Sequence, residues 1–518
     1  MKKFYVTTAI DYVNSDPHIG HAYQKIVADV LARWHKQRGE DVFFLTGTDE
    51  HGQKIARSAK EKGKTPKKFV DELSPRFEQA WKSLNIGFDR FMRTTDEDHQ
   101  EAVKKFIELV EKKGDIYKGT YKGLYCEGCE AYVTEKDLID GKCPFHPNKS
   151  LKELKEDTYF FNLSKYEKKL LELYEKNPNY ILPAFRRQEI INRVKEGLKD
   201  LNMTRLRENM SWGIPFPLDN DYVIYVWYEA LLNYITGIGW PKDSKFKKFW
   251  PADVELLGID NGWFHCVIWP AMLFSAGIKP AKTILINGFL TFNGQKISKS
   301  LGNSISPFGL VERYGADTIR YYVCRNFVFG QDGDFSEKEI IARHNNELAD
   351  KLGNLVSRVS GLIERHGFEK CGLISKDQKR TLELLENGVK NKGNVRILNT
   401  EDVTVKNIWK NYVEDRISAS LSYVGEITSI LVAKLMENYE FDKALNEIFA
   451  FVDACNEYVQ EKKPWETKDK RVLYELKEAM LRIAELLWPF IPSSSEKIKK
   501  QFSEKKIKKE EVLFKKME

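Results

Sequence analysis

Long apolar runs are missing from this chain: nowhere in its 518 residues do about 18 apolar residues follow one another, the length needed to cross a bilayer. The first residues, MKKFYVTTAIDYV, also lack the apolar stretch and the small-residue cleavage site of a signal peptide. We therefore expect neither a membrane span nor export, and we predict a cytoplasmic location. The formal charge of +7 permits an anionic partner but does not require one.

Cysteine is scarce as well, with seven residues in the whole chain. An odd number in a chain without an export signal argues against a disulfide framework and directs attention to metal-ligand spacing. Four of the seven lack such spacing, and we predict that they are core residues: Cys266, Cys324, Cys371 and Cys455.

Two familiar phosphate-binding loops are absent. The pattern GxGxxG does not occur, and the nearest approach to a P-loop, at Gly63-Lys64-Thr65, has Ser58 where the first glycine belongs. If the chain binds a phosphate group, the residues that bind it must lie outside these two patterns.

What the sequence does contain is the alternation typical of an α/β protein. Strand-like runs at 41–47, 254–259 and 283–288 alternate with helical patterns, which favours a parallel sheet. Between about 116 and 214 the alternation gives way to short pieces with Cys and Gly, which indicates an insertion. From about 338 onward the pattern is helical, with one apolar stripe formed by Leu348, Leu352, Leu355, Val359 and Leu362.

This pattern predicts an α/β domain that one insertion splits into two halves, followed by an all-α domain. The predicted boundaries are 1–115 for the first half of the sheet domain, 116–214 for the insertion, 215–295 for the second half, 296–337 for a linking segment and 338–518 for the helical domain.

A short segment near the N terminus, residues 15–21 (SDPHIGH), has the properties of an anion site. A strand-like run precedes it, and apolar residues at helical spacing follow it. Asp16 can cap the helix and Pro17 suits its first turn, so His18 and His21 share one face of that turn. The unpaired N–H groups of a helix start attract anions, and both imidazoles can donate to phosphate oxygens. Capping or packing histidines are the alternative.

A second segment, residues 287–303, carries lysines in a Gly-rich context. Its KISKS sequence puts Lys296 and Lys299 on a predicted loop after a strand. Two ammonium groups on such a loop can neutralise the charge of a triphosphate and of departing pyrophosphate. For KISKS alone, a solvated basic loop is the alternative.

The predicted insertion contains four metal-ligand residues in two close pairs. Two residues separate Cys126 from Cys129 and Cys143 from His146, and thirteen residues lie between the pairs. Three thiolates and one imidazole supply the four ligands of tetrahedral zinc and leave no open position. We predict one structural zinc per chain, with unligated thiols as the alternative.

Two short motifs occur in this order on either side of an interrupted α/β domain: HIGH at residues 18–21 and KISKS at residues 296–300. Together they resemble the motifs of the class I aminoacyl-tRNA synthetases, and more narrowly those of the methionyl-tRNA synthetases. The resemblance extends over nearly the whole chain, through TTAIDYVN (7–14), TGTDEHG (46–52), YVWYEALLNY (225–234), GIDNGWFHCVIWP (258–270) and GNLVSR (353–358). It implies a split Rossmann-like catalytic domain with a zinc-binding insertion, followed by a helical-bundle anticodon-binding domain.

The resemblance also implies roles for individual residues. ATP would be bound by His18, Gly20, His21, Gly258, Asp260, Lys296 and Lys299, with His18, His21, Lys296 and Lys299 as the catalytic set. Asp49 would pair with the ammonium group of methionine, and the side-chain pocket would comprise Ala9, Ile10, Tyr12, Trp227, Ala230, Leu231, Tyr234 and His265. The tRNA anticodon would contact Asn354, Arg358 and Trp465, with the Trp465 indole as a stacking platform.

Aromatic walls suit methionine on physical grounds as well. A flexible thioether gains sulfur–ring contacts of about 0.3–1.5 kcal/mol each, which a branched aliphatic side chain does not share. Aromatic residues on strands are otherwise ordinary core residues, and Asn354 and Arg358 are otherwise an exposed helix face.

Three positions depart from the family pattern. Glu229 stands where the family usually has Asp, Ile259 where it usually has Lys, and Asn261 where an apolar residue is common. These changes bear on the fine shape of the methionine and ribose contacts. The segment 371–425 also matches the family poorly.

The predicted function is the activation of L-methionine with Mg-ATP and the transfer of the methionyl group to tRNA(Met), by a monomer with no membrane partner. One alternative is another enzyme with a HIGH motif, such as a cysteine or isoleucine synthetase or a small adenylyl transferase. The other is a non-catalytic tRNA-binding protein of the same fold.

Overall fold

The structure is a computed structural model. It describes residues 2–128, 131–133, 138–292, 294–296, 305–376, 378–380, 382–383, 386, 404 and 420–518. The chain divides into two compact units, the first made of Met1–Lys82 and Ile86–Gly288, the second of Ser83–Asn85 and Phe289–Glu518.

The first unit is built around a parallel sheet. Its strands, with those of the neighbouring smaller sheets, are β1 (Lys3–Thr8), β2 (Asp11–Tyr12), β3 (Asp41–Asp49), β4 (Arg90–Arg93), β5 (Ile116–Cys126), β6 (Ala131–Val133), β7 (Leu151–Phe161), β8 (Ile181–Leu182), β9 (Leu201–Asn202), β10 (Thr204–Leu206), β11 (Tyr222–Ile224), β12 (Val254–Gly258) and β13 (Ile284–Asn287). The parallel sheet has the order β2-β3-β1-β12-β13-β8, and β4 also pairs with β3. The predicted runs at 41–47, 254–259 and 283–288 correspond to β3, β12 and β13, which confirms the parallel sheet.

Helices connect and cover these strands. They are α1 (Ile19–Gln37), α2 (Gln53–Glu61), α3 (Pro66–Ser83), α4 (Glu97–Lys112), α5 (Glu167–Lys176), α6 (Ala184–Lys195), α7 (Val226–Ala230), α8 (Asn233–Thr236), α9 (Ser244–Phe249) and α10 (Trp269–Ser275). Helix α1 is the crossover between β1 and β3, and most of its residues are buried, including Ile26, Val30 and Trp34. Burial of this apolar face contributes most of the stability that the crossover needs, because propensity alone rarely stabilises a helix.

An antiparallel sheet occupies part of the range that the sequence indicates as an insertion. Its order is β6-β5-β7-β9, and β5 and β7 pair from Ile116 opposite Phe161 to Cys126 opposite Leu151. Strand β8 lies in the same range of the sequence but joins the edge of the parallel sheet beside β13. The chain therefore returns to the main sheet before residue 214.

The second unit begins with a small sheet and continues as helices. The sheet contains β14 (Leu290–Phe292), β15 (Gln295–Lys296) and β16 (Gly333–Phe335). The helices are α11 (Pro307–Tyr314), α12 (Ala316–Asn326), α13 (Glu337–Arg343), a π-helical segment (His344–Gly353), α14 (Asn354–His366), α15 (Leu421–Glu437), α16 (Phe441–Lys462), α17 (Pro464–Thr467), α18 (Lys470–Leu487) and α19 (Pro492–Ser503). After Phe335 the described residues contain no strand, which confirms the helical domain.

The core of the second unit contains the predicted apolar stripe and one buried cation. All five stripe residues are buried: Leu348, Leu352, Leu355, Val359 and Leu362. The guanidinium of Arg320 is fully buried and donates to the backbone oxygens of Pro489 at 2.7 Å and Phe490 at 3.0 Å. Carbonyl partners of this kind offset the cost of burying the charge. Among the described residues, no helix is both long and apolar enough to cross a membrane.

Candidate functional site

The predicted methionine and ATP residues of the first unit gather at the carboxyl edge of the parallel sheet. Strand β1 lies between β3 and β12: the chain passes from β1 to β3 on one side and forms β12 on the other side later in the sequence. In such sheets the crevice outside the strand ends, where the strand order reverses, is the usual ligand site. The backbone N–H of Ala9 donates to Leu256 at 2.8 Å, and that of Val13 donates to Asp49 at 3.0 Å. These bonds hold the ends of β1, β2 and β3 against β12.

The two histidines of the HIGH segment stack on each other at the start of α1. Their ring centroids are 3.8 Å apart, and the backbone N–H of His18 donates to Nδ1 of His21 at 3.3 Å. Because Nδ1 of His21 accepts, its hydrogen lies on Nε2 when the ring is neutral. A Cβ on Gly20 would come within 3.0 Å of the His18 ring, which explains why a glycine separates them.

The predicted side-chain pocket is aromatic and largely buried. Ala9, Leu231 and Tyr234 belong to one buried apolar cluster, and Tyr12 and Trp227 pack against it. Ala230 is buried in α7, Ile10 is partly buried, and the carboxylate of Asp49 is buried at the end of β3.

Trp227 has a stacking partner that the sequence did not identify. Its ring lies parallel to that of Phe264, with centroids 3.9 Å apart and an interplanar angle of 7°. The ring of His265 meets Trp227 edge-on at 6.5 Å. Phe264 and His265 are neighbours in a π-helical segment (Phe264–Ile268), so a local distortion of the helix brings both rings to the same tryptophan.

His265 is neutral, and its two nitrogens have fixed roles. The backbone oxygen of Asn261 lies 2.9 Å from Nδ1, so Nδ1 donates and Nε2 accepts from the Tyr234 hydroxyl at 2.5 Å. Burial lowers the pKa of His265 to about 4. Asn261 takes part through its backbone, so the departure from the family at this position leaves the contact unchanged. Ile259, another departure, packs against the core cluster.

The turn after β3 is held by the residue that follows Asp49. The carboxylate of Glu50 is buried and accepts from Arg93 at 2.7 and 2.8 Å and from the hydroxyls of Thr48 and Thr95. The indole N–H of Trp212 donates to the Glu50 backbone oxygen at 2.6 Å. These hydrogen bonds to Glu50 therefore constrain the backbone position of Asp49.

The sequence analysis did not identify a buried ion pair beside the site. Nζ of Lys25, on α1, lies 2.6 Å from Asp11 and donates to the backbone oxygen of Ala9 at 2.9 Å. Burial lowers the pKa of Lys25 and raises that of Asp11, while each partner opposes the shift of the other. The signal in the sequence was a lysine within a helix that is otherwise mostly apolar on its buried side.

The other residues predicted to bind ATP lie at the end of β12 and in the KISKS segment. Gly258 ends β12, where a Cβ would approach Asp260 to 2.9 Å and Gln24 to 3.1 Å, so glycine permits a close approach at this point. Lys296 is the last residue of β15, in the second unit. Lys299 lies outside the described residues.

Three of the four predicted metal ligands lie together at the tip of the β5–β7 sheet. The Sγ atoms of Cys126 and Cys143 and a ring nitrogen of His146 are all within 4.8 Å of one another. A Cβ on Gly128 would overlap the His146 ring at 2.3 Å, so the turn that follows Cys126, here called the knuckle, depends on glycine at this position. Cys129 lies outside the described residues. Donor type, burial and spacing fit a tetrahedral zinc site.

The predicted anticodon residues lie on exposed parts of the second unit. Asn354 and Arg358 are exposed on the first turns of α14. Trp465 is 39% exposed in the short helix α17. Lys463 and Lys468 flank this helix with φ values of 42° and 52°, so the chain enters and leaves it through residues in the left-handed region. Most of the segment 371–425 lies outside the described residues.

Comparison with known proteins identifies the family of the chain. A family model described as tRNA synthetases class I (M) matches residues 4–360, and one described as the anticodon-binding domain of tRNA ligase matches residues 428–517. Methionine–tRNA ligase of Thermotoga maritima is 42% identical over 512 residues, covering 97% of this chain and 75% of that protein. The Rickettsia conorii enzyme is 41% identical over 520 residues, covering 99% and 94%.

A solved structure gives the same result. Mycobacterium tuberculosis methionyl-tRNA synthetase in complex with methionyl-adenylate is similar with a TM-score of 0.82 and 35% identity, over 96% of this chain and 93% of that one. Since a family model and relatives of this similarity cover most of its length, the chain belongs to the class I tRNA synthetases, in the methionine–tRNA ligase family.

Proposed function

We propose that this chain activates L-methionine with ATP and then transfers the methionyl group to tRNA(Met). In the first step a carboxylate oxygen of methionine attacks the α-phosphorus of ATP, the bond to the β-phosphate breaks, and pyrophosphate leaves. In the second step a hydroxyl of the terminal tRNA ribose attacks the carbonyl carbon of the adenylate, and AMP leaves. No side-chain nucleophile is needed, because the rate comes from orientation and charge stabilisation.

Charge stabilisation is assigned to the HIGH and KISKS residues. His18 and His21 stand at the start of α1, where the positive end of the helix dipole favours phosphate oxygens. The hydrogen on Nε2 of His21 makes that ring a donor toward phosphate. Lys296 and Lys299 are assigned to pyrophosphate by their motif, and Gly20, Gly258 and Asp260 to the rest of the nucleotide. Magnesium enters with ATP and supplies charge neutralisation.

Selectivity for methionine is assigned to the aromatic pocket, and the observation that carries the proposal is the neutral His265 bonded to Tyr234. A protonated imidazole beside an apolar thioether would lose its hydration at a cost in free energy, whereas a neutral one bonded on both sides presents carbon and π surface. Trp227 and Tyr12 add faces for sulfur contacts, and Ala9, Ile10, Ala230 and Leu231 add apolar walls. Asp49, buried at the pocket's edge, would accept the ammonium group.

The test is ATP–pyrophosphate exchange with a panel of amino acids. We expect exchange with methionine, weak exchange with leucine and norleucine, and none with cysteine, isoleucine or valine. Strong exchange with another amino acid would assign the chain to a different synthetase. Binding of tRNA without any exchange would identify a non-catalytic tRNA-binding protein.

We also propose one structural zinc, held by Cys126, Cys129, Cys143 and His146. The closeness of the three described ligands supports it, as do the burial of both described thiols and the glycine at the knuckle. Its chemistry would be structural, because four protein ligands leave no position for substrate. The metal would stabilise the tip of the β5–β7 sheet, since ligand bonds contribute directly to folding.

Recognition of the tRNA anticodon is assigned to Asn354, Arg358 and Trp465. Their exposure supports this assignment, since an indole at the surface between left-handed lysines offers a face for base stacking. We expect the chain to act as a monomer in the cytoplasm.

A further inference from the structure

A buried carboxylate lies between two buried histidines behind the candidate methionine pocket. Glu229, in α7, is fully buried, and its Oε1 lies 2.9 Å from Nδ1 of His51. Its Oε2 lies 3.0 Å from Nε2 of His99, a fully buried residue of α4. The other ring nitrogen of His99 lies 2.8 Å from the Thr236 hydroxyl.

Hydrogen bonding fixes the direction of the two contacts that Glu229 makes in this cluster. A carboxylate only accepts, so Nδ1 of His51 and Nε2 of His99 both carry hydrogen. The remaining ring nitrogen of His99, Nδ1, lies against the hydroxyl of Thr236, which can either donate or accept. Burial alone raises the pKa of Glu229, but His51 and then His99 lower it, and the net pKa is below its ordinary value of 4.5. Glu229 is therefore an ionised carboxylate with both oxygens partnered.

Three of the four members of the cluster stand close in sequence to a predicted methionine residue. His51 is two residues after Asp49, and Glu229 is two residues after Trp227. Thr236 is two residues after Tyr234. The cluster therefore ties the turn that carries Asp49 to the two short helices that carry the pocket.

We propose that Glu229, with His51 and His99, is a positioning residue that sets the distance between Asp49 and the aromatic pocket. The inference rests on the proposed methionine activation and identifies what aligns its two binding elements. The Glu50–Arg93 contacts hold the same turn to β4 but do not reach α7. The longer side chain of Glu, where the family usually has Asp, spans the gap to both imidazoles.

The first variant is Glu229→Gln, which keeps the size of the side chain but turns one acceptor into a donor that faces an N–H group. We expect the KM for methionine in pyrophosphate exchange to rise about tenfold to a hundredfold, the range for losing a hydrogen bond to a charged group. The KM for ATP should stay within a factor of about two, since α1 makes no described contact with Glu229. Glu229→Asp keeps both acceptors on a side chain that is one methylene shorter, so it should restore only part of the methionine affinity.

A matched control tests whether any buried carboxylate would give the same result. Asp115 is also fully buried and accepts from the hydroxyls of Tyr166 and Ser275. Asp115→Asn should lower the melting temperature and leave the KM for methionine unchanged. A methionine KM that rises equally in both variants would overturn the positioning role.

A second pair of variants decides the matter if Glu229→Gln does not fold. His51→Asn retains an N–H donor near the place of Nδ1, whereas His51→Ala removes it. We expect a raised methionine KM in His51→Ala and substantial recovery in His51→Asn. An unchanged methionine KM in folded Glu229→Gln or His51→Ala would overturn the proposal. Absence of methionine-dependent exchange in the wild type would instead reject the proposed function itself.

Discussion

Acidification should destabilise the first unit through His265 in a defined pH window. The folded imidazole has a pKa of about 4, against an ordinary value of 6.5. Between these values the unfolded chain binds a proton that the folded chain does not, so stability falls as the pH drops from about 6.5 to about 4. Above pH 6.5 the contribution is fully present.

The magnitude follows from the two pKa values. At pH 5 the unfolded imidazole is almost fully protonated and the folded one mostly neutral, and linkage gives a loss of about 2 kcal/mol relative to pH 7. Protonation would also remove the acceptor that Nε2 offers to the Tyr234 hydroxyl. The effect is therefore large enough to measure against a typical domain stability.

The assay is urea unfolding at pH 7 and pH 5, followed by tryptophan fluorescence, on the wild type and on His265→Gln. Glutamine places an acceptor near the position of Nε2 but does not titrate in this window. Other groups titrate in both proteins and cancel in the comparison. We expect the wild type to lose about 2 kcal/mol more than the variant between the two pH values. Equal losses, within about 0.5 kcal/mol, would refute a buried neutral imidazole at this position.

Three further predictions address the other sites. Cys126→Ser should lower the zinc content and the melting temperature, whereas Cys455→Ser, at a buried cysteine outside the knuckle, should leave the zinc content unchanged; metal analysis that finds no zinc in the wild type would contradict the assignment. His21→Ala should slow single-turnover formation of the adenylate on the order of 10²-fold, the range for losing one preorganised donor, and an unchanged rate would contradict it. Trp465→Ala should lower kcat/KM for tRNA aminoacylation roughly tenfold to a hundredfold, corresponding to ~1–3 kcal/mol for one stacked base, and leave methionine-dependent exchange without tRNA near wild type. Trp465→Phe should retain most of the aminoacylation, whereas equal losses in both assays with a lowered melting temperature would indicate a packing role instead.

Local signals in the sequence were sufficient for three strands of the parallel sheet, for the helices of the second unit and for the family, but not for the long strands β5 and β7. The strands β3, β12 and β13 were predictable because their apolar runs stand between helical patterns. A run of apolar residues indicates a buried strand without any knowledge of its neighbours. The helical second unit was predictable for the same reason, since the stripe from Leu348 to Leu362 has the period of a helix. Short motifs such as HIGH need only neighbouring residues, so they are readable without a fold.

Tertiary structure alone decided which distant residues meet. Glu229 contacts His51 and His99 across 178 and 130 positions, and no periodicity links such residues. Lys25 stands out as a lysine on the apolar side of its helix, but only the packing of α1 shows that Asp11 is its partner. Hydrogen bonds and pKa shifts depend on burial and on atomic distances, and both arise from the packing of elements far apart in the chain. The sequence therefore determined the elements and the chemistry of the motifs, while the packing of the sheet and helices determined the polar contacts that hold the candidate site in place.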